Sequence, residues 1–337
     1  MSALRVLFIG GTGNLSMAAS RLAVERGLEL SILTRGSKAA ELPRGVRSIV
    51  GDASDRGALE KLAAHEAFDA VVNWIAFTPE DVARDVAVFQ GRVGQYVFIS
   101  SASVYEKPPS HYLLTESTPL VNPFWDYSRQ KIAAETALLR AHLERGFPVT
   151  IVRPSYSYGE SWIPTATGVD YTPVYRLRRG LELVVPGDGT SLWTMTHNSD
   201  LAQGIIGLLG NAKAIGEAFH ITSDEVLSWN QIYATIAEAV GAPLTLVHIP
   251  SDFIAKVDAR RGASLLGDKA YSAVFDNSKI KRAVPDFVAR VPFAEGIRRS
   301  VAWFDADPAR QRIEANSSVE QILTVWRAAM SAAGFGS

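Results

Sequence analysis

The chain has 337 residues, 47% hydrophobic and 20% charged, with a net charge of -1, the balance of an ordinary globular protein of one large or two moderate domains. That balance leaves no basic excess to neutralise a nucleic-acid backbone, and the absence of cysteine excludes disulfides, thiolate metal sites and cysteine catalysis. No apolar run of about 18 residues and no basic-then-apolar leader is present, so a cytoplasmic protein with no membrane span is expected.

In chain order, strands are predicted at Arg5–Ile9, Glu29–Thr34, Val46–Val50, Ala70–Ile75, Tyr96–Ser100 and Val149–Val152. Helices are predicted between them, from about Asn14 to Arg26, Asp55 to His65, Pro79 to Arg92 and Tyr127 to Arg145. Gly27 and Gly146 follow two of these helices, where a left-handed closing residue is easiest for glycine. This alternation marks an α/β fold, a Rossmann-type doubly wound parallel sheet covered by helices on both faces. After Pro154 the rhythm is broken by Pro164, Pro173, Pro186 and several glycines. Residues 1–155 are therefore read as one domain, a doubly wound dinucleotide-binding sheet, and 156–337 as a second, smaller C-terminal α/β lobe. The run Gly216–Thr222 reads as a strand returning to the first sheet, so the two parts interleave.

The first strand runs into a glycine turn, VLFIGGTGNLS, that opens a helix. A dinucleotide turn needs glycine for an unusual backbone dihedral and for close approach of the main chain to a pyrophosphate at the helix N-terminus. Gly10 and Gly13 fit, whereas Ser16 stands where a third glycine would let the helix pack closely on the strand. A merely tight loop is the competing reading. The end of the second strand gives Thr34, Arg35, Gly36, Ser37 and Lys38, with no carboxylate for the adenosine ribose hydroxyls. That favours NADP over NAD, unless these are simply solvated loop charges. Asp52, in VGD, is placed to accept from an adenine amino group.

The segment YSRQK puts Tyr127 and Lys131 four residues apart at the start of a helix, on one face. A nearby ammonium stabilises phenolate and lowers the tyrosine pKa, which suits acid–base work in an alcohol–carbonyl interconversion. Just upstream, FISSASVY offers Ser101 as a hydroxyl partner.

These segments resemble the extended short-chain dehydrogenases/reductases, also called NAD-dependent epimerases/dehydratases. The resemblance rests on IGGTGNLS at Ile9, VGD at Val50, FISSASVY at Phe98, TESTPL followed by DYSRQKIAAE, RPSYSYG at Arg153 and THNSDLA at Thr196, in the family's order. It implies Ser101, Tyr127 and Lys131 as catalytic residues. Gly10, Gly13, Asn14 and Leu15 would hold the pyrophosphate, Arg35 would lie by the adenosine ribose, Asp52 and Ala53 by the adenine, and Trp74 and Ile75 would line the cofactor cleft. Tyr127 would exchange a proton with the substrate hydroxyl while hydride passes to or from the nicotinamide. Lys131 would depress the tyrosine pKa and bind the nicotinamide ribose.

Departures from the family pattern narrow the chemistry. Ala102 and Ser103 stand where 4,6-dehydratases carry an Asp-Glu pair, uronic-acid decarboxylases have a glutamate at the position of Ser103, and there is no cysteine acid. Epimerisation through a keto intermediate, or plain reduction and oxidation, remains. Ser103, Tyr156, Arg178 and Trp193 are the candidate substrate residues. Tyr156 replaces an asparagine of many nucleotide-sugar relatives, and Trp193 stands where an arginine grips the diphosphate, a charge that Arg178 or Arg179 would have to take over. An indole cannot neutralise a diphosphate but can stack on a sugar face. Core packing is the alternative for both aromatics. His197 and Asp200 read as packing and capping residues, His220 as structural, and no metal-ligand spacing is present.

The leading expectation is an NAD(P)-dependent epimerase or oxidoreductase acting on a sugar or sugar nucleotide. The alternatives are an NADP-dependent reductase of a small carbonyl compound and a non-catalytic NAD(P)-binding regulator. The resemblance also implies a homodimer built through the helix that begins near Tyr127.

Overall fold

The structure, a computed structural model, describes residues 3–36, 41–168, 170–313 and 318–335. The first half runs β1 (Arg5–Ile9), α1 (Asn14–Glu25), β2 (Glu29–Thr34), β3 (Arg47–Val50), α2 (Arg56–His65), β4 (Ala70–Asn73), α3 (Pro79–Phe89) and β5 (Gln95–Ile99). A short strand β6 (Leu113–Leu114), the long helix α4 (Asp126–Arg145) and β7 (Val149–Pro154) follow. The second half contains β8 (Tyr156–Tyr158), α5 (Thr172–Arg178), β9 (Leu183–Pro186), β10 (Leu192–Trp193), β11 (Met195–His197), α6 (Asn198–Leu208) and β12 (Ala218–Ile221). After these come β13 (Leu227–Ser228), α7 (Trp229–Val240), β14 (Leu246–Ile249), α8 (Ser251–Val257), α9 (Ala259–Ser264), β15 (Val274–Phe275), α10 (Ser278–Ala283), α11 (Phe293–Asp305) and α12 (Ser318–Ala332).

Among the described residues, seven strands form one sheet in the order β12-β7-β5-β4-β1-β2-β3, and every neighbouring pair is parallel. Apolar runs such as Val6–Ile9 are buried because helices cover both faces. Ala19, Ala23, Leu201 and Ile205 of α1 and α6 pack on one face. Leu59, Val82, Phe89, Ala134 and Leu138 of α2, α3 and α4 pack on the other. The strand order reverses between β1 and β4, and in such sheets the crevice beyond the carboxyl ends at that point receives the ligand.

The predicted α/β fold is present, and Ala218–Ile221 does return to the sheet beside β7. Gly27 and Gly146 take positive φ, 74° and 67°. Some boundaries differ for local reasons. Strand β4 stops at Asn73 because its side-chain carbonyl accepts from the N–H groups of Ile75 and Ala76, turning the chain. Helix α3 stops short of Arg92, and Gly91 follows with φ 71°.

Among the described residues, four two-stranded ladders (β10–β13, β8–β11, β9–β14, β6–β15) stand beside the main sheet, with one hydrophobic cluster that includes Tyr158, Trp193, Trp229, Tyr233 and Phe304. Ala102, Tyr105 and Leu114, from the segment after β5, belong to that same cluster. No helix among the described residues is long and apolar enough to cross a membrane.

Candidate active site

The glycine turn leaves β1 with Gly10 at φ +76°, and a Cβ there would lie 2.8 Å from Ile75 Cγ2. Gly11, at φ +150°, would meet Ile32 at the same distance. Both positions therefore demand glycine on backbone and steric grounds. Ser16 adds a hydrogen bond where the family glycine would stand: its Oγ accepts from Gly13 N–H at 2.9 Å and holds the first turn of α1. The Asn14 side chain accepts from Ser161 Oγ at 3.3 Å and from Asn198 Nδ2 at 3.3 Å, which ties the turn to the segment after β8 and to the start of α6. Leu15 packs beside the α1–α6 core. What this turn offers an anion is main-chain N–H groups at the start of a helix.

Beside the turn lies a cavity of about 490 Å³ lined by Gly10, Thr34, Arg35, Asp52, Ala53 and Ile75, with Asp81 and Arg84. Asp52 accepts from both the N–H and the hydroxyl of Ser54 at 2.8 Å, which holds its carboxyl below the usual range. The arginines of Arg35 and Arg84 act on it in the same direction. Arg84 has no signature in the sequence; it is held by Asp81 at 3.1 Å and by the buried Asp85 at 3.0 Å. Ser37 and Lys38 lie outside the described residues.

Trp74 is placed differently from expectation. Its ring packs edge-on to Phe8, centroids 5.5 Å apart, against the α1–α6 face. Ile75, 56% exposed, is the residue of the pair that faces this cavity. The turn made by Asn73 ends the strand there and separates the two side chains.

The fit to a dinucleotide is thus steric and chemical: two glycines that tolerate no side chain, a helix start, and a cleft carrying two guanidinium groups.

At the end of β5, Ser101 Oγ accepts from Ser103 N–H at 3.2 Å and lies 3.0 Å from Ser103 Oγ, which in turn accepts from Ser128. Tyr127 sits in the first turn of α4 with its ring 5.1 Å from that of Phe77 and 4.7 Å from that of Trp125. Lys131, one turn on, donates to the carbonyl oxygens of Ala76 (2.9 Å) and Ile99 (2.8 Å). Burial lowers the Lys131 ammonium to about 8, against the opposing pull of Glu135 and Asp81.

The expected depression of the Tyr127 pKa by Lys131 is not what the protein chain gives. Burial pushes the phenol above its ordinary value, the Ser101 hydroxyl pulls it down, and the Asp268 carboxylate adds to the rise. Burial is the largest of these effects, and the Lys131 ammonium is committed to two main-chain carbonyls. Beneath, Glu135 of α4 is paired with Arg153 of β7 at 2.6 Å and accepts from Ser100, which fixes α4 against β5 and β7.

A chamber of about 190 Å³ opens above Ser101, Ser103 and Tyr127. Trp125, Tyr156, Trp193 and Phe275 wall it, and Asp268 and Lys269 complete it. The Tyr156 hydroxyl donates to Thr165 O at 3.0 Å, and Trp193 Nε1 donates to Tyr271 O at 3.0 Å, so both present ring surface with their polar ends satisfied. Both are therefore packed aromatics and wall residues at once.

Arg178 does not reach the chamber. Both of its terminal nitrogens bind the Asp305 carboxylate at 2.7 Å and one also donates to Tyr171 Oη, so it ties α5 to α11. Arg179 stacks over the Tyr175 ring at 4.5 Å and does not line the chamber either. His197 caps α6 through Ser199, and His220 bridges Tyr105 and Asp276.

Trp125, Asp268 and Lys269 were not singled out from the sequence. Trp125 was within reach, standing two residues before Tyr127; the other two lie in a five-residue π turn, Leu265–Lys269, remote in sequence and without pattern.

Residues 6–222 match the model of the NAD dependent epimerase/dehydratase family. The chain belongs to this family. It is 27% identical over 290 residues to 2'-dehydrokanamycin reductase of Streptomyces kanamyceticus, covering 85% of this chain and 81% of that one. It is 28% identical to a dTDP-glucose 4,6-dehydratase of an Actinoplanes species, covering 76% and 79%. A chloroplast stem-loop binding protein of Arabidopsis thaliana is 29% identical, covering 71% and 64%. Among solved structures, an epimerase of Methanothermobacter thermautotrophicus gives a TM-score of 0.74 at 19% identity, covering 91% and 94%. A Bacillus anthracis dTDP-glucose 4,6-dehydratase in complex with NAD gives 0.72 at 18%, covering 91% and 98%. At those identities the likeness is one of fold. The family and these relatives make the protein an enzyme-like NAD-dependent epimerase/dehydratase-family member.

Proposed function

We propose that the protein is an NAD(P)-dependent oxidoreductase that interconverts a hydroxyl and a ketone on a small sugar-like ring, with Tyr127 as the proton donor and acceptor. The observation that carries this reading is the meeting of Ser101 and Tyr127 in one aromatic chamber that no arginine lines. Among the described residues Lys269 is the one cation that lines that chamber, and it stands against Asp268, while Arg178 is held elsewhere by Asp305.

When bound, the cofactor supplies or accepts a hydride. Gly10, Gly11, Gly13 and the first turn of α1 would hold its pyrophosphate, with Asp52, Ala53 and Ile75 around the adenosine. Arg35 favours NADP, because a guanidinium group at the end of β2 suits a 2′-phosphate, whereas Arg84 is already paired with Asp81 and Asp85. Ser101 donates a hydrogen bond to the reacting oxygen and Tyr127 delivers or removes its proton. Lys131, which gives two of its N–H groups to the Ala76 and Ile99 carbonyls, would offer the third to the nicotinamide ribose. The aromatic walls exclude water and orient the ring.

The reductase named in the comparison covers most of this chain, which supports plain reduction or oxidation. Epimerisation of a sugar or sugar nucleotide through a keto intermediate is the second reading, supported by the family to which the chain belongs. The test is cofactor handling: NADPH that exchanges freely and binds at least tenfold more tightly than NADH supports the reductase, whereas NAD retained through purification supports the redox-neutral epimerase. A non-catalytic role has the stem-loop binding relative behind it; the meeting of Ser101 and Tyr127 in one chamber favours catalysis.

A further inference from the structure

The π turn Leu265–Lys269 packs against the segment that leads into α4. Asn122 Nδ2 donates to Gly267 O at 2.7 Å, and a Cβ on Gly267 would stand 2.5 Å from Trp125 Cβ. This contact sets Asp268 and Lys269 in the wall of the chamber that holds Ser101 and Tyr127. Each oxygen of Asp268 faces one ammonium: Oδ1 is 3.9 Å from Lys107 Nζ and Oδ2 is 3.9 Å from Lys269 Nζ. Lys107 is only 3% exposed, and Lys269 Nζ lies 5.4 Å from the Trp125 ring centroid and 5.1 Å from that of Tyr156.

None of these three charged side chains makes a hydrogen bond to another described residue. Asp268 and Lys269 keep 15% and 14% of their side-chain surface exposed where they line the chamber, so beyond their 3.9 Å ion pairs both retain hydrogen-bonding capacity for a ligand. A spacing of 3.9 Å is too long for a direct bond and wide enough for a hydroxyl to stand against both groups. A hydroxyl can donate to the carboxylate and accept from the ammonium at once. A phosphate would satisfy the lysines and be repelled by Asp268; an ammonium-bearing ring would satisfy Asp268 and be repelled by the lysines.

We propose that Asp268 and Lys269 form a clamp for adjacent hydroxyl groups, with Lys107 as the counter-ion behind Asp268, so that the substrate is an uncharged polyhydroxylated ring rather than a sugar diphosphate. The proposal rests on the oxidoreductase reading above and deepens it by naming the substrate class. Trp125, Tyr156 and Trp193 supply ring faces for the C–H surface of such a molecule. A second cavity, of about 390 Å³, shares Trp125, Tyr156 and Lys269 with the chamber and leaves room for a substituent beyond the clamp; Arg260 and Arg261 also line it, Arg261 paired with Asp258 at 3.3 Å.

The experiment follows tryptophan fluorescence of the NADP⁺-loaded protein during titration with methyl glucosides, galactosides and mannosides, with myo-inositol, and with UDP. The clamp predicts a saturable response to at least one neutral polyol, kept in Tyr127→Phe, and at least tenfold weaker in both Asp268→Asn and Lys269→Met while their NADP⁺ affinity stays unchanged. Unchanged NADP⁺ affinity shows that each variant is folded; should one fail to fold, the other carries the test. Equal polyol affinity in a folded variant, or no saturable polyol response, overturns the clamp, as does tighter binding of UDP than of every polyol. Polyol binding that survives while Tyr127→Phe still turns over would instead overturn the oxidoreductase reading and leave the clamp standing.

Discussion

A Cβ placed on Gly10 would lie 2.8 Å from Cγ2 of Ile75, and the backbone at Gly10 has φ +76°. The turn that leaves β1 and the chain that leaves β4 thus touch at the point where the strand order reverses. Gly10→Ala should destabilise the protein by about 1–3 kcal/mol through backbone strain and displacement of Ile75. It should also weaken NADPH binding at least tenfold, measured by denaturant unfolding and by fluorescence titration. Wild-type affinity in a stable variant would deny the turn its part in binding.

Arg35 lines the cleft beside Asp52 and acts on its charge. Replacing Arg35 by Ala should cost NADPH about tenfold or more in affinity, the worth of a charge-assisted hydrogen bond, and leave NADH within about twofold. Parallel titrations with the two cofactors check this; equal losses would mean that Arg35 does not read the 2′-phosphate.

The Lys131 ammonium titrates near 8 in the folded protein, below its ordinary 10.5. Between those values the unfolded chain binds the proton that the folded one has released, so stability rises with pH across that window. Lys131→Met should remove that rise, seen as a flatter difference in unfolding free energy between pH 8 and 10. The ammonium needed for cofactor contacts is present below pH 8 and lost above it, so kcat/KM should fall as pH rises through 8. A stability difference that does not change with pH would contradict the assignment.

Arg153 and Glu135 form a buried ion pair under the site, 2.6 Å apart. Glu135→Leu leaves the guanidinium buried without its partner and should cost about 3–5 kcal/mol, measured by urea unfolding, whereas a cost below about 1 kcal/mol would show that Arg153 finds another partner.

Much of this architecture was legible in the residues because it is local. The runs Arg5–Ile9 and Glu29–Thr34 end where glycine or polar residues follow, and they match the strands residue for residue. The spacing of Tyr127 and Lys131 on one helix face is likewise a local fact. Trp74 was misplaced because its direction depends on the Asn73 side chain turning the chain, a contact with no sequence pattern. Arg178 was assigned to substrate because Asp305, its partner, lies 127 residues away. Asp268 and Lys269 escaped notice for the same reason: only the docking of Gly267 on Asn122 and Trp125 brings them to the chamber. The lowered tyrosine pKa expected from spacing alone neglected burial, which dominates at Tyr127.

The central claim is that Tyr127 transfers the proton in a cofactor-dependent reaction within the aromatic chamber. It is tested most directly by the NADP⁺-linked oxidation of neutral polyols, followed as NADPH absorbance, in wild type and Tyr127→Phe. Removal of a positioned acid–base group predicts a fall in kcat of about 100-fold or more, with NADPH affinity within twofold of wild type. Undiminished turnover in Tyr127→Phe would contradict the mechanism.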